Sequence, residues 1–270
     1  MGGILVDTHT HYSHKRFDCG RDEIISHLSS ANVMAVVEGA INFESNQKMK
    51  VLCEKYPNVY MAIGCHPNCV EEMDEDKLSQ LIELASHHKA IAIGETGLDY
   101  ARGKTNLQIQ KQKEWFAKFI SLAISMDKPL VIHCREAYED LIKILSGYKF
   151  LGRPGVIHCF SGNKEQANRL LNMGFYIGVN GMFTQMDTDS DVCAAIKDIP
   201  LDRILLETDA PYLVPKGAEG KRNTSLNLSC VTDALAGLRN EPAEQIREVI
   251  LQNTERVYPQ IFEGINQSVL

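Results

Sequence analysis

Ile4-Leu5-Val6-Asp7-Thr8-His9-Thr10-His11 decides how the rest of the chain is read. Ile4-Leu5-Val6 is an apolar, β-branched run of the kind that forms a buried strand. Two histidines follow at once, spaced by one residue. Alternate residues of a strand share a face, so the imidazoles of His9 and His11 converge on one point. Neutral imidazole is the commonest side-chain ligand for a transition metal. Two surface histidines in a loop would read the same way in isolation. The later strands decide between the two readings.

Similar short apolar runs recur along the chain, at 4–8, 33–37, 59–64, 90–94, 130–133, 156–159, 176–179 and 204–206. Helical spacing fills the intervals. Ile24, Ile25 and Leu28 form one face, and Leu78, Leu81, Ile82, Leu84 and Ala85 form another. Trp115, Phe119, Leu122, Ala123 and Met126 form a third. Asn163-Lys164-Glu165-Gln166 has the form of a capping box directly after a strand. Strands alternating with helices predict parallel pairing with helices over the sheet. Eight such units match the size of a (β/α)8 TIM-type barrel. An open doubly wound sheet would carry a glycine-rich phosphate loop after the first strand, and this chain has none there. No repeat, low-complexity tract or linker divides residues 1–270, which read as one domain. The stretch from Val214 to Gly220 reads as an excursion after the last strand, followed by two extra C-terminal helices, one starting near Pro242.

The chain of 270 residues is 44% hydrophobic and 23% charged, which places it with soluble globular proteins. Its net charge of −7 excludes a broad electrostatic grip on nucleic acid, so any such contact is local. The eight cysteines show no paired C-x-x-C spacing, and Cys65-His66-Pro67-Asn68-Cys69 lacks a second half. Scattered cysteines without a signal segment predict reduced thiols in a cytoplasmic protein. Position 6 is Val, which fails the myristoylation pattern, and no apolar run is long enough to span a bilayer.

Polar residues gather where the strands end: Asp7 to His11, Gly64 to Pro67, Gly94 to Asp99, His133 to Arg135, His158 to Gly162 and Glu207 to Asp209. A parallel barrel brings all C-terminal strand ends to one rim, where such barrels carry their active sites. His9, His11, Glu95, His133, His158 and Asp209 then supply four imidazoles and two carboxylates to one pocket. The expected division gives one divalent ion the His9/His11 pair and a second ion His133 and His158. Glu95 bridges, and Asp209 ligates and accepts a proton. Two such ions share an activated water. Each residue alone suits a structural role, but all recur at the same position relative to a strand. Cys134 and Cys159 follow the histidines, so alternation predicts that they point away and pack. His66 and Arg135 lie on the rim as candidate substrate contacts. Arg222 is a third candidate, balanced against a surface ion pair. Glu207 is expected to support the site from behind, unless it shares the face of Asp209.

The ordered set Asp7-Thr8-His9-Thr10-His11, Gly64-Cys65-His66-Pro67, Gly94-Glu95-Thr96-Gly97-Leu98-Asp99-Tyr100, His133-Cys134-Arg135-Glu136, His158-Cys159-Phe160-Ser161-Gly162 and Glu207-Thr208-Asp209-Ala210-Pro211 resembles the TatD family of metal-dependent hydrolases. The resemblance runs from the first strand to Asn253-Thr254. It implies a barrel of the amidohydrolase-like superfamily and divalent-metal hydrolase activity, including DNase activity. It places the family's metal ligands on His9, His11, Glu95, His133, His158 and Asp209, and its rim histidine on His66. Ser225 stands where the family often has Pro, Thr96 where Ile is frequent, and Cys134 where Ser is common.

The expected function is a divalent-metal-dependent, exonuclease-like phosphodiesterase acting on DNA ends or other single-stranded nucleic acid. Glu95 and Asp209 are its catalytic carboxylates, and Mg, Mn or Zn serves as the pair of ions. An alternative keeps the site and changes the bond, to an amide or an ester such as that of a misacylated tRNA (a D-aminoacyl-tRNA deacylase). A third reading, a non-catalytic metal-binding scaffold, predicts eroded ligands. No membrane contact and no obligate protein partner are expected.

Overall fold

A computed structural model describes residues 3–101, 103–150 and 152–263. Eight strands pair in chain order, every neighbouring pair parallel: β1 (Leu5–Thr10), β2 (Val33–Gly39), β3 (Val59–Ile63), β4 (Ala90–Asp99), β5 (Leu130–Arg135), β6 (Gly155–Ile157), β7 (Tyr176–Val179) and β8 (Ile204–Leu206). A parallel bridge from Thr10 to Ala210 joins the first strand to the segment just after the eighth. The hydroxyl of Thr8 also donates to the carbonyl of Leu206 at 2.9 Å. The result is the TIM-type barrel expected from the alternation of elements.

The helices are α1 (Arg21–Ser26), α2 (Phe43–Lys55), α3 (Glu75–Ala85), α4 (Asn106–Ser125), α5 (Tyr138–Leu145), α6 (Lys164–Asn172), α7 (Asp191–Asp198), α8 (Leu228–Arg239) and α9 (Ala243–Val257). The capping box is present at α6: Asn163 Oδ1 accepts from the Gln166 amide at 3.0 Å, and Gln166 Oε1 accepts from the Asn163 amide at 3.1 Å. α9 begins at Ala243, after Pro242. Among the described residues, no helix is long and apolar enough to cross a membrane.

Alternation sorts the strand residues into two buried layers. Ile132, Cys134, Ile157, Ile177, Ile204 and Leu206 face the large core between sheet and helices. Val6, Val37, Val131, Val156, Tyr176 and Leu205 fill a smaller inner core, which Val257, Tyr258 and Ile261 complete. Asn253 of α9 fixes that end of the chain by donating to the carbonyls of Leu201 and Ile204, both at 2.9 Å. The apolar plug occupies one end of the barrel axis. The inward positions that follow Val131, Val156 and Leu205 by two residues are His133, His158 and Glu207, so the axis turns polar at the C-terminal strand ends.

Strand bounds differ from the sequence reading. β1, β2, β4 and β5 run on to Thr10, Gly39, Asp99 and Arg135, whereas β6 stops at Ile157. The runs read from the sequence stop within a residue or so of the first polar side chain. Here the ladder continues through polar residues whose side chains enter the axis. Ile82, assigned to the buried face of α3, is 41% exposed instead.

Candidate metal centre

The carboxylate of Glu95 lies at the middle of the polar end. Its Oε2 is 3.4 Å from His9 Nε2 and 3.7 Å from His11 Nε2. Its Oε1 is 2.9 Å from His133 Nδ1, 3.7 Å from His158 Nε2 and 3.6 Å from His66 Nε2. Asp209 Oδ1 closes the other side, 3.2 Å from His11 Nε2. All six residues proposed as ligands from the sequence therefore meet in one place, and His66 joins them at the rim.

Backbone irregularities do the aiming. The pairing of β4 with β5 skips Glu95: Gly94 opposes Val131 and Thr96 opposes Ile132. A bulged residue is freed from the ladder and re-aimed, and here its side chain turns into the axis. β1 carries a second irregularity between Asp7 and Thr10, spanning His9. Asp209 and Cys159 have φ of 57° and 48°. Such left-handed conformations are uncommon for residues other than glycine and gather at functional sites. Space is provided as well. A Cβ on Gly39 would lie 2.5 Å from His9 Cε1, and one on Gly178 would lie 2.6 Å from Glu207 Oε2.

A second layer orients these groups. His11 Nδ1 faces the Gly39 carbonyl at 2.9 Å, so a proton sits there and Nε2 is the nitrogen that points inward. His158 Nδ1 lies 2.9 Å from Glu207 Oε1. That same oxygen accepts from the Cys159 amide at 2.7 Å and from Asn180 Nδ2 at 3.0 Å. Glu38, fully buried at the end of β2, accepts from Thr10 Oγ1 (2.7 Å) and from the amides of Tyr12 (2.6 Å) and Ser13 (2.9 Å). It holds the chain as it leaves His11. Asp99 lies 3.4 Å from His133 Nε2 and accepts from Asn68 at 2.8 Å. Sequence reasoning gave no role to Glu38 or Asp99. The available signal was an acid ending an apolar run at Val36-Val37-Glu38, the same pattern that marked the other strands.

Electrostatics follow from burial among opposite charges. Burial pushes Glu95 up, but the imidazoles of His66, His133 and His9 outweigh it and hold the carboxyl well below the usual range. Asp209 is held low in the same way, by His11 and His158 against burial. Burial pulls His11 down, yet Asp209, Glu95 and Glu38 carry it up to about 9. His158 likewise loses to burial and gains from Glu207, Glu95 and Asp209, ending at about 10. His66 goes the other way: burial and His133 lower it to about 3, so it is neutral. Its Nδ1 accepts from the Asn68 amide at 3.1 Å, which leaves the ring proton on Nε2, pointing at the pocket.

The donor set fits divalent cations. Two groups of ligand atoms, His9/His11/Asp209 and Glu95/His133/His158, each lie within 4.8 Å of one another. His133 Nε2 and His158 Nδ1 are backed by Asp99 at 3.4 Å and Glu207 at 2.9 Å, which leaves the opposite nitrogen of each ring facing Glu95. Buried charges are expected to be paired or to coordinate metal, and mixed imidazole and carboxylate donors accept Zn, Mn or Mg.

Two expectations need correction or qualification. Cys134 packs outward as predicted, but Cys159 does not. β6 ends before it, its positive φ breaks the alternation, and its sulfur lies with ligand atoms of His158 and Asp209. Arg222 is engaged in the structure: its Nη1 donates to the carbonyls of Arg16 (2.6 Å) and Cys19 (3.0 Å), and its guanidinium sits 4.9 Å from the Phe17 ring. It pins the loop after His14. Arg135 is exposed at the end of β5, and its guanidinium makes no hydrogen bond or ion pair among the described residues.

A nearly closed parallel barrel with imidazoles and carboxylates at its C-terminal mouth has the architecture of a metal-dependent hydrolase. The family model for TatD related DNases matches residues 6–259, and the chain belongs to that family. It is 34% identical to the uncharacterized metal-dependent hydrolase YabD of Bacillus subtilis, over 94% of this chain and 99% of that one. A 3'-5' ssDNA/RNA exonuclease TatD of Pectobacterium parmentieri is 26% identical, over 94% of this chain and 99% of the relative. The crystal structure of YjjV, a TatD homologue of Escherichia coli, superimposes with a TM-score of 0.87 at 30% identity, covering 94% of this chain and 98% of that one.

Proposed function

We propose that this metal-dependent hydrolase cleaves phosphodiester bonds at the ends of single-stranded nucleic acid. The observation that carries the reading is the convergence of four imidazoles and Asp209 on the Glu95 carboxylate. The exonuclease named among its relatives supports the choice of bond. His9, His11 and Asp209 would hold one divalent ion, His133 and His158 a second, with Glu95 shared between them. Bound there, the ions supply Lewis acidity toward the phosphoryl group and toward water.

The protein's own residues do the rest. Asp209, kept ionised by His11 and His158, takes a proton from the attacking water as its oxygen bonds to phosphorus. The bond to the leaving oxygen breaks in line, and that oxygen is protonated from solvent. Neutral His66 donates Nε2–H to a phosphoryl oxygen, and Arg135 offers its exposed guanidinium to the flanking phosphate. A net charge of −7 suits a short terminus held locally better than a long duplex.

The test is digestion of a 5'-labelled single-stranded oligonucleotide with Mg²⁺ or Mn²⁺, beside an aminoacyl ester. Shortening of the oligonucleotide, abolished by EDTA and by His133→Ala, is expected. Activity that survives either change, or hydrolysis of the ester alone, contradicts the proposal.

A further inference from the structure

Tyr212 is 39% exposed beside the pocket. Among the described residues, the other large exposed apolar side chains, Val51, Ile82, Leu107 and Ile124, lie on α2, α3 and α4, on the outside of the barrel. The Tyr212 ring centroid is 6.1 Å from that of His11 and 6.0 Å from that of His14, both edge-on. The Arg16 guanidinium stands 5.7 Å from the ring centroid. The Tyr212 amide donates to the Asp209 carbonyl at 2.8 Å, which ties its backbone to a residue of the metal centre.

The surroundings are basic although the protein is acidic. The loops 14–19 and 214–224 carry five Lys or Arg against two acids. They are tied together by Arg222 on the Arg16 carbonyl and by Arg16 Nη2 on the Lys221 carbonyl at 3.3 Å. An exposed aromatic ring backed by a guanidinium and flanked by cations is the arrangement that holds single strands, by base stacking and phosphate attraction. A fatty ligand would not call for the cations, and free phosphate would not call for the ring.

We infer that Tyr212, with Arg16 and His14, is a stacking platform for the nucleobase next to the phosphate that enters the pocket. The inference rests on the nuclease reading and deepens it, because it places the strand's approach on the His11 side of the mouth.

The probe is a fluorescent oligothymidylate with phosphorothioate linkages, binding the metal-loaded protein and followed by anisotropy. Tyr212→Ala is expected to weaken binding about 5- to 150-fold, the worth of one base stack of about 1–3 kcal/mol. Tyr212→Phe keeps binding within twofold. A strand with an abasic terminal residue binds the wild type and Tyr212→Ala alike. Binding by Tyr212→Ala within twofold of wild type overturns the platform, as does a loss equally large for the abasic strand. A loss accompanied by loss of bound metal overturns it too, because Tyr212 would then act through His11. A wild type that binds the strand but hydrolyses no unmodified oligonucleotide refutes the nuclease reading and leaves the platform standing.

Discussion

Gly39→Ala puts one methyl group where the His9 ring now lies. The added Cβ would stand 2.5 Å from His9 Cε1 and 2.8 Å from Nε2. Ordinary carbon contacts need about 3.5–4.0 Å, so the imidazole must retreat by about 1 Å. It has little room, since it stacks on His158 with centroids 3.6 Å apart. The φ of Gly39 lies outside the left-handed region, so alanine is sterically acceptable to the backbone and only the ring is disturbed. A misplacement of about 1 Å at a reacting centre costs roughly 100-fold in rate, or about 2.7 kcal/mol. Loss of ligand orientation costs roughly 10- to 100-fold in metal affinity. Overpacking costs the fold about 1–3 kcal/mol, short of the roughly 5–15 kcal/mol that holds a domain together. The assay is calorimetric titration of the metal-free variant with Mn²⁺, with circular dichroism to confirm the fold. A folded Gly39→Ala protein that binds Mn²⁺ within twofold of wild type would refute the placement of His9 as a ligand.

Metal uptake should strengthen as pH rises from 6 to 8. His11 at about 9 and His158 at about 10 are protonated in the metal-free site, and a cation must displace those protons. Calorimetry in two buffers of different ionisation enthalpy should show proton release, whereas uptake independent of pH would speak against these residues as ligands. Glu207→Gln removes the charge behind His158 and should lower metal affinity about 10- to 100-fold, with secondary structure unchanged by circular dichroism. Unaltered affinity would assign Glu207 to packing alone. Chelation should lower the melting temperature. Ions at about 100 times their dissociation constant add about 2.7 kcal/mol, worth roughly 5–10 °C at this size, and equal melting with and without EDTA would count against a built site.

The fold and most of the pocket were legible because strand periodicity is local. His133 and Cys134 illustrate this: one follows Val131 inward and the other follows Ile132 outward. Departures from periodicity were not legible. Glu95 reaches the axis through a skipped pairing between β4 and β5, which no single-strand pattern announces. Cys159 fails the alternation rule because its backbone is left-handed and its strand has already ended. Arg222 is distant in sequence from the carbonyls it serves, so only the folded chain shows that its guanidinium is engaged. Glu38 looked like the end of an ordinary strand, and its task, holding the amides of Tyr12 and Ser13, appears only once β1 and β2 pair.

Anomalous diffraction from crystals grown with Mn²⁺ and a thymidine dinucleotide tests the central claim most directly. Two peaks are expected flanking the Glu95 carboxylate, one among His9, His11 and Asp209 and one between His133 and His158, with the scissile phosphate over both. Manganese bound away from Glu95, or a dinucleotide whose phosphate lies outside the pocket, would contradict it.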